Sequence, residues 1–361
     1  MTKNKSVITS GQLFGMLFIS RMIVNMTYTP LLAGGDVMWD HILSAAISFV
    51  LVFVMVIPVY KMCNIRGGID VANASYVLLG KAGAVVCVIY ALYYAFVSIY
   101  TLSLFNSFVS NDMSPKIPIL ALSFAVIVVS CYAAYKGIEG IARASFLILL
   151  LVIIALIFII IALLPQVNSK NFIPFMYDGN KQMVNGVILM LSRTSCIPAM
   201  AMLFPAVKGN KKKGLIIWNI AVYATVSILV AVIVGSLGDY LKTQSFPVYT
   251  ATCIAEMGIL KKLDALYLGI WITGLFIKVS LFIYLLAACI QRIFGEKASK
   301  ISIFISGIII ASLSYFISKY KEIIGIVYNL KVIIIFTLIT AVVIPLILLV
   351  INSIKCRRVC K

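Results

Sequence analysis

The sequence predicts an all-α polytopic membrane protein of about ten transmembrane helices, folded as a five-plus-five inverted repeat with spans 1 and 6 broken. Three observations predict it. Of 361 residues, 63% are hydrophobic and 11% charged, with a mean hydropathy of +1.12, a balance foreign to soluble domains. Ten segments are long and apolar enough to cross a hydrocarbon core about 30 Å thick, which takes roughly 20 helical residues. Two of these segments, five spans apart, carry Ser-Arg near the middle and proline further along.

The ten spans run Ile8 to Leu31, Met38 to Tyr60, Ala82 to Phe108, Ile117 to Tyr135, Phe146 to Leu164, Met183 to Val207, Gly214 to Gly235, Asp264 to Cys289, Ile301 to Ile317 and Val332 to Ile351. Lys3 and Lys5 ahead of an apolar run resemble the start of a signal peptide. Arg21 interrupts that run and no clean small-residue cleavage site follows, so span 1 is read as retained. A β-barrel is excluded because the segments are too long and lack strict alternation. The two halves cover 8–164 and 183–351, and 352–361 forms a basic tail.

An even number of spans puts both termini on one side. Of the thirty lysines and arginines, eighteen fall on the side of the termini, nine on the opposite side and three within spans. The positive-inside rule therefore places both termini in the cytoplasm. The net charge of +19 is spread through short loops beside the membrane, which points to topology and lipid head groups and not to nucleic acid. The run Lys211 to Lys213 is read the same way.

The three intramembrane cations are Arg21, Arg193 and Lys278, and all eleven acids can be placed in connections or at span ends. A charge at membrane depth costs several kcal/mol, roughly 3 on insertion scales, unless it gains a partner or faces a polar cavity. Backbone carbonyls, water or a ligand must supply that partner.

Span 1 reads Phe18-Ile19-Ser20-Arg21-Met22 and continues to Pro30. Span 6 reads Met190-Leu191-Ser192-Arg193-Thr194-Ser195-Cys196-Ile197-Pro198. Proline removes a backbone donor and small hydroxyl residues satisfy the freed groups, so both segments are candidate interrupted helices. Two broken helices in corresponding positions of two halves are the pattern of inverted repeats with a substrate site near the midplane.

A guanidinium pairs bidentately with a carboxylate, and half-helix N-termini add amide donors. Arg193 is thus the stronger candidate for an anion site, with Ser192, Thr194 and Ser195 as hydroxyl contacts and Arg21 in the matching position of span 1. The competing role for either arginine is a structural lock on carbonyls freed by the break. Tyr93 and Tyr94 in span 3, and Phe276 and Ser280 in span 8, are further candidate lining residues. The connection Lys136-Gly137-Ile138-Glu139-Gly140 is read as a sharp turn with an intraprotein ion pair.

Eight cysteines lack metal-ligand spacing, and a single histidine, His41, excludes histidine-rich metal sites. No metal or other cofactor is expected. No nucleophile with a base, metal cluster or phosphate loop lies at a span end, so an enzyme is not expected either.

The opening Ile8-Thr9-Ser10-Gly11-Gln12-Leu13-Phe14, the loop Asn171-Phe172-Ile173-Pro174-Phe175 with Gly179, Phe246-Pro247-Val248-Tyr249 after span 7, and Phe276-Ile277-Lys278-Val279-Ser280 in span 8 resemble the spore germination permeases. These are the B subunits of Ger-type germinant receptors, related to the amino acid, polyamine and organocation transporters. The resemblance covers essentially the whole chain. It implies a small nutrient, with an amino acid favoured, bound between spans 1, 3, 6 and 8. It further implies a complex with an A subunit and a C lipoprotein in the inner membrane of the spore. Sodium-coupled relatives of this architecture hold a cation between spans 1 and 8. Lys278 is accordingly read either as an ammonium replacing that ion, able to gate, or as a tether to span 1 carbonyls. The rival readings are an amino acid transporter without receptor partners and an assembly subunit with a vestigial pocket.

Overall fold

The computed structural model describes residues 8–26, 39–65, 68–113, 116–172, 180–257, 260–261, 263–320 and 329–359. Among them, nine helical stretches are long and apolar enough to cross a membrane, and the first helix is a shorter apolar one. The about ten spans expected from sequence are thereby accounted for. In chain order the helices are α1 (Ser10–Met26), α2 (Trp39–Cys63), α3 (Val71–Leu79), α4 (Gly83–Phe108), α5 (Ile119–Lys136), α6 (Ile138–Leu163) and α7 (Asn180–Ser192). They continue with α8 (Cys196–Leu203), α9 (Lys211–Leu237), α10 (Pro247–Ile254), α11 (Asp264–Phe294), α12 (Glu296–Lys319), α13 (Leu330–Leu338) and α14 (Ile344–Val359).

Span 1 does not start as helix at Ile8. Strand β1 (Ile8–Thr9) pairs in parallel with β2 (Val207–Lys208), so the beginning of span 1 is stitched to the end of span 6. Thr9 then caps α1 reciprocally: its hydroxyl accepts from Gln12 N at 3.2 Å, while Gln12 Oε1 accepts from Thr9 N at 2.9 Å. Two backbone donors at the helix entry are satisfied by one four-residue motif.

The connection before span 3 holds an element that the hydropathy reading leaves unassigned. Asp70 Oδ1 accepts from Asn73 N at 2.8 Å and starts α3, which folds back on α4 after a turn at Gly80–Ala82. Gly83 permits the close approach, since a Cβ there would lie 2.6 Å from the backbone of Ser75. At the other sharp corner, Gly137 has φ +95° between α5 and α6, and Glu139 pairs with Arg143 one turn on. The sharp turn expected at 136–140 is present, but Glu139 takes its cation from Arg143 beyond that segment, while Lys136 Nζ lies over the Tyr132 ring.

Burial separates centre from periphery. In the span made of α7 and α8, 89% of the apolar stretch is buried, and 72% in α11, against 28% in α5. Helix α11 packs on α1, α4, α5, α6 and α12, and α1 lies between α6, α9 and α11. Gly274 lets α1 in: a Cβ there would meet Ile23 Cγ1 at 2.6 Å. With 31 residues at 1.5 Å rise, α11 is about 46 Å long and extends beyond the hydrocarbon core.

The Phe246-Pro247-Val248-Tyr249 stretch forms the start of α10, with Pro247 in its first turn, where a missing donor costs nothing. Phe246 and Tyr249 close on Phe108 of α4, with ring centroids 5.0 and 4.9 Å away, and Trp271 of α11 lies 4.3 Å from Phe108. This aromatic cluster seals that end of the α4–α11 interface. Asn171 Nδ2 donates to Gly235 O at 2.7 Å, fastening the segment after α6 to α9. Residues 173–179 of the loop motif lie outside the described residues.

Candidate functional site

The span 6 helix breaks where the sequence indicates. Helix α7 ends at Ser192, residues 193–195 are non-helical and α8 begins at Cys196. Two of the hydroxyl groups act as expected on the freed backbone: Ser192 Oγ donates to Leu189 O at 2.8 Å and Thr194 Oγ1 to Met190 O at 3.2 Å. In span 1 the helix runs unbroken through Arg21 to Met26. No break interrupts it at Ser20-Arg21, the position that matches Ser192-Arg193, and residues 27–38, with Pro30, lie outside the described residues, so Arg21 sits within a helix and Arg193 in a break.

Both arginines are buried, at 1% and 4% exposure, and each reaches the other's element. Arg21 Nη2 donates to Met190 O at 2.7 Å. Arg193 Nη1 donates to Val24 O at 2.9 Å. Each accepting carbonyl lies three residues from the opposite arginine, so two charged bonds clamp α1 to the break. A charge-assisted bond of this kind contributes about 1.5–3 kcal/mol and offsets part of the cost of burying the charge.

The clamp leaves polar atoms over. Arg21 Nη1, Ser20 Oγ, Ser195 Oγ and Tyr223 Oη are buried with no hydrogen-bond partner among the described residues. Arg21 Cζ lies 6.0 Å from the ring centroid of Tyr223 in α9, whose hydroxyl faces Arg21 and Thr194. Buried polar atoms are almost always satisfied, and a cluster of exceptions calls for an explanation at that place.

Lys278 completes the group. It is 2% exposed on α11, its Nζ lies 5.9 Å from the Phe282 ring, and Arg21 and Arg193 are its charged neighbours. Its ammonium donates no hydrogen bond among the described residues, to span 1 carbonyls or elsewhere. Three cations thus converge around residues 193–195, and the carboxylates that form ion pairs among the described residues lie elsewhere, at Asp70, Glu139 and Glu296.

Of the other predicted residues, Tyr93 and Tyr94 brace this centre. Tyr94 Oη donates to Pro198 O at 2.8 Å, holding α4 against α8, and its ring packs on Phe282. Tyr93 Oη is 3.2 Å from Thr337 Oγ1, which in turn donates to Ser192 O at 3.4 Å. Ser280 Oγ donates to Phe276 O within α11, and Phe276 is half-buried. Two residues along a helix turn a side chain through about 200°, so Phe276 and Ser280 stand away from the Lys278 face.

Three participants are missing from the sequence reading: Tyr223, Thr337 and Thr340. Thr340 O accepts from Tyr90 Oη within a π-helical turn, Ile339–Val343, ahead of Pro345. Such turns inside helices are frequent at functional sites. The available signal was Thr337 and Thr340 spaced by three in an otherwise apolar span. Below the centre, α11 lines a cavity of about 200 Å³ with Tyr284, Gln291 and Arg292, where Arg292 Nη2 lies 3.5 Å from Asp70 Oδ2.

Comparison with known proteins agrees with this architecture. A family model described as "Spore germination protein", the spore permease family, matches residues 7–322. Spore germination protein KB of Bacillus subtilis (strain 168) is 27% identical over 307 residues, covering 81% of this chain and 80% of that protein. Among solved structures, a substrate-bound, outward-open Na+-coupled sialic acid symporter superposes with a TM-score of 0.67. It covers 94% of this chain and 80% of its own at 12% identity, which speaks to fold alone.

Proposed function

The chain belongs to the spore germination permease family, and from that premise we propose that it is the permease-like subunit of a nutrient-germinant receptor. It binds a small carboxylate-bearing nutrient, an amino acid in our reading, between α1, the α7–α8 break, α9 and α11. The observation that carries this is the convergence of Arg21, Arg193 and Lys278 with unpartnered donors among them. A carboxylate supplies the missing counter-charge and accepts from Arg21 Nη1, the Lys278 ammonium and the Tyr223 hydroxyl. Arg193 serves chiefly as the clamp. The half-helix end at Cys196 adds a positive dipole.

The halves 8–164 and 183–351 are read as inverted repeats. The broken span 6, the stitch between β1 and β2, and the fold shared with a symporter support that reading. Nutrient binding shifts the balance between two arrangements of the halves, and partner subunits read the shift. Those partners are an A subunit and a C lipoprotein, the setting is the inner membrane of the spore, and the termini face the cytoplasm. Lys278 acts as a fixed cation in place of a coupling ion, so response requires no sodium. Coexpression with the A subunit and C lipoprotein tests the assignment. A complex that copurifies and binds amino acids without sodium is expected; a lone permease that moves amino acids without partners would overturn it.

A further inference from the structure

A groove of about 640 Å³ opens on the outer wall of the bundle between α1, α6 and α9. On α1 it is lined by Ser10, Phe14 and Phe18 together with Gly11 and Gly15, which lie one turn apart, and a Cβ at Gly11 would meet nothing within 4 Å. Leu149 of α6 and Ile217 of α9 form apolar walls, Ile217 being 55% exposed on a surface that faces acyl chains. One end is polar: Asn210 and Lys213 line it where α9 begins. None of Lys211, Lys212 and Lys213 pairs with a carboxylate among the described residues.

Trp218 supplies an independent pointer. It lines the groove at 2% exposure, and its Nε1 has no hydrogen-bond partner among the described residues. A buried indole N–H ordinarily finds an acceptor. Along α9, Trp218 lies five residues, about 7.5 Å, above Lys213, and the groove continues to Thr225, about 18 Å from Lys213. That length spans one leaflet of a core about 30 Å thick.

We propose that this groove is a binding site for one anionic phospholipid of the leaflet at which α9 begins. The phosphate sits by Lys213 at the α9 N-terminus, where the cation and the helix dipole both favour an anion. The ester carbonyl accepts from Trp218 Nε1, and one acyl chain lies along Ile217 and Leu149 to Thr225. Since α1 carries Arg21 a few turns further on, the lipid packs directly on a helix that enters the nutrient site.

The full chain in nanodiscs holding equal phosphatidylglycerol and phosphatidylcholine, released into native mass spectrometry, tests this. Wild-type protein is expected to retain one phosphatidylglycerol in preference to phosphatidylcholine. Lys213→Gln, at an exposed position, lowers that preference about five-fold, the weight of one lysine beside an anionic headgroup. Ala221→Trp fills the groove and removes both lipids. Trp218→Phe weakens both equally, because the ester is common to them. Lys297→Gln, on an exposed turn elsewhere, changes nothing. Equal retention of the two lipids by wild-type protein, or an effect of Lys297→Gln matching that of Lys213→Gln, would overturn the site.

Discussion

Arg21 and Arg193 hold each other's elements: the first bonds Met190 O at 2.7 Å and the second bonds Val24 O at 2.9 Å, each carbonyl three residues from the opposing arginine. The two charges repel, yet both are pinned to the same junction. Their contributions to stability are therefore coupled, as for any pair sharing partners in one network.

Arg21→Gln and Arg193→Gln should each lower the thermal unfolding midpoint of the purified protein, by the loss of about 1.5–3 kcal/mol. The double variant should lose less than the sum, because the first substitution already loosens α1 from the break. Additive losses, measured as a double-mutant cycle, would mean two independent bonds and no clamp.

Tyr223→Phe removes a hydroxyl that has no partner among the described residues, so stability should be unchanged or slightly raised. If that hydroxyl accepts or donates at the nutrient, the dose for half-maximal germination should rise about two-fold to ten-fold, a hydrogen bond of roughly 0.5–1.5 kcal/mol. Tyr93→Phe breaks the link to Thr337 and should show the opposite pattern, lost stability with little change in dose. Identical behaviour of the two variants would remove Tyr223 from the site.

Lys278→Met keeps most of the stem's volume and loses the charge. The variant should insert at normal abundance and fail to respond, and Lys278→Arg should rescue poorly, because a planar fork replaces a compact ammonium. Spore germination with each variant's level measured in the membrane is the readout. A wild-type response from Lys278→Met at normal level would eliminate a role for the charge.

A single cysteine at position 212 in a cysteine-free background should be labelled only from the cytoplasmic side, and one at position 170 only from the opposite side. Both sites are exposed. Labelling of position 212 from outside would invert the topology drawn from the lysine distribution.

The spans were legible because a bilayer imposes a length and a composition that hydropathy reads directly. The break in span 6 was legible too, since Ser192-Arg193-Thr194-Ser195 and Pro198 announce freed backbone in an apolar run. That the three intramembrane cations need a partner other than an acid followed from counting acids. Three things were not legible. Helix α3 depends on Asp70 capping and on Gly83 admitting Ser75, contacts within a connection that carries no span-length signal. The clamp partners Val24 and Met190 offer only carbonyls, which no side-chain pattern marks. Tyr223 and Thr337 enter through the packing of α9 and α13 around the break, a long-range arrangement that local sequence leaves open.

The most direct test compares an amino acid that triggers the receptor with its carboxamide, which keeps shape and ammonium and lacks the negative charge. Equilibrium binding to the purified complex should be weaker for the amide by about ten-fold to a hundred-fold. In Arg21→Gln and Lys278→Met the gap between acid and amide should shrink towards nothing. Equal affinity of acid and amide for the wild-type complex would contradict a carboxylate held by these cations.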